Sequence, residues 1–175
     1  MINLPNFFLF YRIIAVPFFM VAYALDWQVA TFVIYVTAAI SDFFDGYFAR
    51  KLKLVNDFGK LMDPLADKIL TAAAFVCFVG AGIMPPWMLV VVLAREFLIT
   101  GLRGLAASHN KIIAARLSGK VKTFVQMVTI GVILLGGWVF EFDKFPADQI
   151  LLWVTVVVTV HSGVEYVRDY IKSAK

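Results

Sequence analysis

Three features of the sequence predict an all-α membrane protein, six transmembrane helices in a compact bundle with both termini cytoplasmic. They are its apolar content, the spacing of its apolar runs and the placement of its basic residues. Of 175 residues, 62% are hydrophobic, 15% aromatic and 16% charged. Soluble domains run nearer about 45–50% apolar and about 25% charged. That excludes a water-soluble globule, a disordered chain and a disulfide scaffold, and the length suits a single domain over 1–175.

Six apolar segments of roughly 20 residues, enough to span a bilayer, can be drawn at roughly 7–25, 28–49, 61–83, 86–107, 119–140 and 148–170. The connections are short, which favours antiparallel neighbours. The first segment is too long for a signal-peptide core, contains Arg12 and lacks a small-x-small cleavage site before Asp26-Trp27, so it reads as a permanent helix. Pro5 suits a first helical turn, while Pro17 inside the span predicts a kink. Trp27, Trp87 and Trp138 stand near span ends, as an interfacial belt requires. Cys77 lies in the apolar run Ala-Phe-Val-Cys-Phe-Val and reads as a packing residue. Gly101 and Gly104, and Gly131 with Gly136 and Gly137, are candidates for close helix approach.

Sixteen Lys and Arg against twelve Asp and Glu give a net charge of +4. Eleven of the sixteen fall after the second span (Arg50, Lys51, Lys53, Lys60), after the fourth (Lys111, Arg116, Lys120, Lys122) or at the end (Arg168, Lys172, Lys175). The opposite connections hold only Lys144. By the positive-inside rule, the basic side is cytoplasmic. Basic charge arranged in this way marks membrane flanks, and no nucleic-acid partner is expected.

The most informative stretch runs from the cytoplasmic end of the second span into the third. It reads Ser41-Asp42-Phe43-Phe44-Asp45-Gly46-Tyr47-Phe48-Ala49-Arg50, then a basic link, then Gly59-Lys60-Leu61-Met62-Asp63-Pro64-Leu65-Ala66-Asp67-Lys68. Asp42 and Asp45 are three apart and Asp63 and Asp67 four apart, so each pair shares one face of its helix. On adjacent helices the four carboxylates can converge. An aspartate in a membrane span costs about 2.5–3.5 kcal/mol on insertion scales, and clustered carboxylates repel unless a cation neutralises them. Oxygen donors without His or Cys select a hard cation such as Mg²⁺ or Mn²⁺. Four carboxylates suit two ions clamping the attacking and leaving oxygens of a displacement at phosphorus.

Asp42-x₂-Asp45-Gly46-x₂-Ala49-Arg50-x₈-Gly59-x₃-Asp63-x₃-Asp67 resembles the signature of the CDP-alcohol phosphotransferases. Three further blocks look like the branch of that family whose acceptor is glycerol 3-phosphate. These are Leu4-Pro5-Asn6 with Tyr11-Arg12 and Pro17, the run from Ala94 to Arg103, and the run from Gly119 to Met127. The resemblance implies a six-helix enzyme of the bacterial inner membrane, commonly a homodimer among membrane lipids, with its site open to the cytoplasm. It implies transfer of a phosphatidyl group from CDP-diacylglycerol to glycerol 3-phosphate with release of CMP. By the same resemblance Asp42 and Asp63 touch both metal ions, Asp45 the first and Asp67 the second, and Asp67 is the candidate general base. Gly46, Ala49, Arg50, Asn56 and Gly59 would line the CDP-diacylglycerol pocket.

Arg103, Arg116, Lys120 and Lys122 are candidates for the acceptor phosphate, since a dianion needs several cationic donors. Topology-setting charge and anionic-lipid contact are the alternative for each. Arg95 and Glu96 lie deep enough in the fourth span to need partners, and as sequence neighbours on a helix they are expected to point apart, bracing the aspartates or bridging helices. His109 reads as interfacial, His161 as packed or hydrogen-bonded, and Glu165, Arg168 and Asp169 as a solvated helix end. A sibling transferase using inositol phosphate or serine, and a divalent-cation transporter, remain competing readings. The second half lacks an acidic counterpart to 42–67, which disfavours the transporter.

Overall fold

A computed structural model describes the backbone of residues 4–52, 57–108, 117–139 and 146–174, and the side chains of 10–41, 68–106, 117–136 and 146–172. Among the described residues there are six helices and no strand: α1 (Leu4–Ala24), α2 (Gln28–Leu52), α3 (Asp57–Gly80), α4 (Pro86–Ser108), α5 (Leu117–Val139) and α6 (Ala147–Ala174). Each coincides with one expected segment. α3 begins earlier and α6 ends later than the apolar pattern alone, because polar turns extend both helices beyond their apolar stretches. α1 continues through Pro17 as one helix.

The helix ends follow from local chemistry. α1 and α3 both close in Schellman motifs, in which a left-handed residue turns the chain and its neighbours cap the last carbonyls. At α3 the residue is Gly82 (φ 73°), with Ile83 N–H donating to the Phe78 carbonyl at 2.9 Å and Gly82 N–H to that of Val79 at 3.1 Å. At α1 Asp26 (φ 54°) takes the same place, with Trp27 N–H on Ala22 at 2.9 Å and Asp26 N–H on Tyr23 at 3.1 Å. Aspartate tolerates this conformation better than most side chains. Pro86 opens α4, where a missing N–H costs nothing. Asp148 in the first turn of α6 and Lys172 in its last complement the helix dipole.

The bundle has two three-helix halves. α1 packs on α2 and α3, α6 packs on α4 and α5, and contacts of α2 with α5 and of α3 with α4 and α5 join the halves. α2 and α3 touch each other less extensively than each touches α1. Phe19, Tyr35, Phe75, Phe78, Met84, Met88, Ile130 and Leu152 form the core, and Cys77 packs against it as expected. The outer faces are apolar as well, with Phe18, Val90, Phe97, Phe124, Val157 and Val164 all more than 60% exposed. Leu117–Gly136 and Ala147–Lys172 are long and apolar enough to cross a bilayer.

Candidate active site

The aspartate motif lies on helical backbone at one end of the bundle. Asp42, Asp45, Gly46, Ala49 and Arg50 occupy the C-terminal half of α2, and Gly59, Asp63 and Asp67 the N-terminal half of α3. The three-residue and four-residue spacings therefore place each aspartate pair on one face of its helix. The side chains of these residues, and Asn56, His109 and Arg116 entirely, lie outside the described residues.

One residue beyond Asp67 begins a network of ionic and polar contacts linking α3, α4, α5 and α6, exposed at Lys68 and Thr100 and largely buried from Glu96 onward. Lys68 donates from Nζ to Thr100 Oγ1. The same Thr100 hydroxyl donates to the Glu96 carbonyl one turn back, at 2.7 Å. Glu96 Oε1 accepts from Lys122 Nζ of α5 and lies 3.3 Å from Arg95 Nη1. Arg95 Nη2 donates to Ser162 Oγ of α6 at 2.6 Å. The side chains of Lys122, Glu96 and Arg95 are only 6%, 12% and 12% exposed. Charges this dry are tolerated because each has an opposite partner and a hydrogen bond.

These contacts revise one expectation. Arg95 and Glu96 do bridge helices, to α6 and α5 respectively, but they also reach each other, because two long side chains can bend across the helix surface. Of the acceptor-phosphate candidates, Lys122 is buried and paired with Glu96, whereas Lys120 is exposed. Arg103 is exposed with its Cζ 5.6 Å from the centroid of the Tyr166 ring, a cation–π contact.

This chain matches the family described as CDP-alcohol phosphatidyltransferase over residues 2–161. The chain belongs to the CDP-alcohol phosphatidyltransferase family. It is 40% identical over 181 residues to the CDP-diacylglycerol–glycerol-3-phosphate 3-phosphatidyltransferase of Bacillus subtilis, covering 95% of this chain and 94% of that protein. The proteins of the same name from Rickettsia bellii and Haemophilus influenzae are each 33% identical, the alignments covering 95% of this chain and 94% and 92% of theirs.

In this family member, part of the buried polar framework was missed in the sequence. Thr129 and Thr155 meet at 2.8 Å between α5 and α6, both fully buried. Gln126 donates to Thr159 at 3.4 Å. Lys122, Gln126 and Thr129 follow one another at four and three residues, as do Thr155, Thr159 and Ser162. This spacing places each set along one face, so the polar seam runs toward the Glu96 network. A polar stripe at helical spacing in an otherwise apolar helix was the available signal. Where Gly101, Gly104 and Gly131 were expected to allow close approach, a Cβ would meet nothing within 4 Å inside the chain. The close approach is at Gly163, where a Cβ would come 3.1 Å from Arg95 Cγ. His161 lies exposed rather than packed.

A cavity of about 290 Å³ lies at the opposite end of the bundle, lined by Tyr23, Asp26, Thr31, Ile83, Leu134 and Asp148. It is separate from the family motif. Trp87 meets Trp153 in a tilted pair with ring centroids 5.4 Å apart, and Trp27 is 62% exposed, all at that end.

Proposed function

We propose that this chain transfers the phosphatidyl group of CDP-diacylglycerol to glycerol 3-phosphate, giving phosphatidylglycerophosphate and CMP. The observation that carries the reading is the complete family motif, on one half of α2 and the adjoining half of α3, beside a cationic network at the same end of the bundle. The names borne by full-length relatives support the same acceptor.

The donor set fits a hard divalent cation. Carboxylate oxygens alone, at paired helical spacings on two consecutive helices, suit two Mg²⁺ or Mn²⁺ ions. Asp42, Asp45, Asp63 and Asp67 would hold the ions. When bound, the ions neutralise phosphate charge and acidify the acceptor hydroxyl. Gly46, Ala49, Asn56 and Gly59 line the CDP side, and Arg50 contacts the diphosphate through its planar fork of donors. Arg103, Arg116, Lys120 and Lys122 draw in the acceptor phosphate. Asp67 accepts the proton of the acceptor's primary hydroxyl as that oxygen bonds to the phosphorus bearing diacylglycerol. The bond from that phosphorus to the bridging oxygen breaks, and CMP leaves with the electron pair.

The bundle is read as one domain over 1–175, crossing the bacterial inner membrane six times with both termini cytoplasmic. The apolar exterior and the charge bias of the connections support this. The cytoplasmic end then holds the motif, so glycerol 3-phosphate arrives from water while the lipid donor enters from the bilayer. A homodimer is the proposed assembly.

The test uses purified protein in mixed micelles with CDP-diacylglycerol, Mg²⁺ or Mn²⁺ and a panel of acceptors, following CMP. Release with glycerol 3-phosphate and not with inositol phosphate or serine is expected. Release with inositol phosphate or serine alone would move the chain to a sibling activity, and no release with any acceptor would overturn the reading.

A further inference from the structure

We propose that Glu96, to which no role in the reaction has been assigned above, is a positioning residue for the acceptor site. It acts by holding the Lys122 ammonium in place, and the inference rests on the acceptor-phosphate role proposed for Lys122. Glu96 occupies the centre of the network. Its Oε1 receives Lys122 from α5 and lies 3.3 Å from Arg95 Nη1. Arg95 in turn is anchored to Ser162 of α6. The Glu96 carbonyl accepts the Thr100 hydroxyl, to which Lys68 of α3 donates. Glu96 thus meets Lys122 of α5 directly and reaches α3 only through Thr100, whose partner Lys68 directly follows Asp67.

The physical reason is the dryness of Lys122, whose side chain is 6% exposed. Without a counter-charge an ammonium so placed is driven to swing away toward water. That movement removes a cationic donor from a dianionic ligand. Glu96 keeps the ammonium aimed while Arg95, held by Ser162, prevents the carboxylate itself from drifting. Because Glu96 touches neither substrate in this scheme, its loss acts through Lys122 and falls on acceptor binding.

The test compares wild type, Glu96→Gln, Glu96→Asp, Lys122→Met and the double variant Glu96→Gln/Lys122→Met, each as the full chain in micelles. Wild-type CMP release with glycerol 3-phosphate is the control. Its absence would overturn the functional reading itself, whereas the following outcomes bear on Glu96 alone. Glu96→Gln should raise KM for glycerol 3-phosphate by about tenfold, the low end of effects seen when a supporting hydrogen-bond partner is removed. The KM for CDP-diacylglycerol and kcat should each stay within about threefold. Glu96→Asp should recover part of the lost affinity, and the double variant should be no worse than Lys122→Met. A merely structural residue would instead lower the folded fraction and kcat with KM unmoved. A glycerol 3-phosphate KM for Glu96→Gln that is unchanged or lower would overturn the proposal. If that variant does not fold, Glu96→Asp decides alone, since the shorter carboxylate should still raise this KM selectively; an unchanged value overturns the inference.

Discussion

Replacing Thr129 by valine should reveal how strongly the α5–α6 seam is held. Valine matches threonine in shape, so no cavity opens and the change isolates the hydroxyl. Thr129 and Thr155 are 0% and 1% exposed, with their oxygens 2.8 Å apart. Leaving a buried hydroxyl unsatisfied costs about 1–3 kcal/mol. Thr155 can recover part of that by donating to the carbonyl one turn back on its own helix. The expected loss for Thr129→Val is therefore about 1–1.5 kcal/mol. Thr155→Val should cost less, about 0.5–1 kcal/mol, because Thr129 Oγ1 already lies 3.5 Å from the Leu151 carbonyl and can settle on it. With both hydroxyls removed, neither is stranded, and the double variant should sit within about 0.5 kcal/mol of wild type. The coupling between the two sites, about 1 kcal/mol or somewhat more, lies within the range for side-chain hydrogen bonds between membrane helices. Equilibrium unfolding of the four proteins by denaturing detergent, followed by far-ultraviolet circular dichroism, supplies the cycle. Additive losses, with coupling below about 0.3 kcal/mol, would refute the reasoning.

Other consequences are as direct. Asp67→Asn should abolish turnover, by about a hundredfold or more, while nucleotide binding measured by calorimetry persists; unchanged turnover would remove Asp67 as the base. Gly82→Ala should destabilise the fold by about 1 kcal/mol, the cost of a left-handed alanine. Open space surrounds that position, so a thermal unfolding scan reads the backbone term alone. Gly163→Leu should be far worse than Gly104→Leu, because a Cβ already comes 3.1 Å from Arg95 Cγ at the first and meets nothing at the second. Overpacking of this kind costs about 1–3 kcal/mol, so equal midpoints for the two variants would contradict the packing of α6 on Arg95.

The helices were legible because each is written as a long apolar run set off from the next by a short polar connection. Their ends were less so. The apolar pattern starts the third segment at 61, yet α3 begins at Asp57, and the sixth runs past 170 to Ala174. Apolarity marks the stretch that avoids water, whereas the hydrogen-bonded helix continues through the polar turns that flank it. The placement of each aspartate pair on one face of its helix was legible, since i, i+3 and i, i+4 spacings are properties of one helix. The pairing of Lys122 with Glu96 was not, because it depends on how α5 is rotated against α4. The same holds for glycine: Gly101 and Gly104 looked suited to close approach, but rotation of α4 leaves them open, and Gly163 is the residue that meets Arg95.

The central claim is tested most directly by the lipid product. With the protein reconstituted in vesicles containing CDP-diacylglycerol, glycerol 3-phosphate and Mg²⁺ or Mn²⁺, mass spectrometry should find phosphatidylglycerophosphate and CMP in equal amounts. Both should disappear when the divalent metal is chelated and return when it is restored. Absence of that lipid with metal present, or its undiminished formation under chelation, would contradict the account.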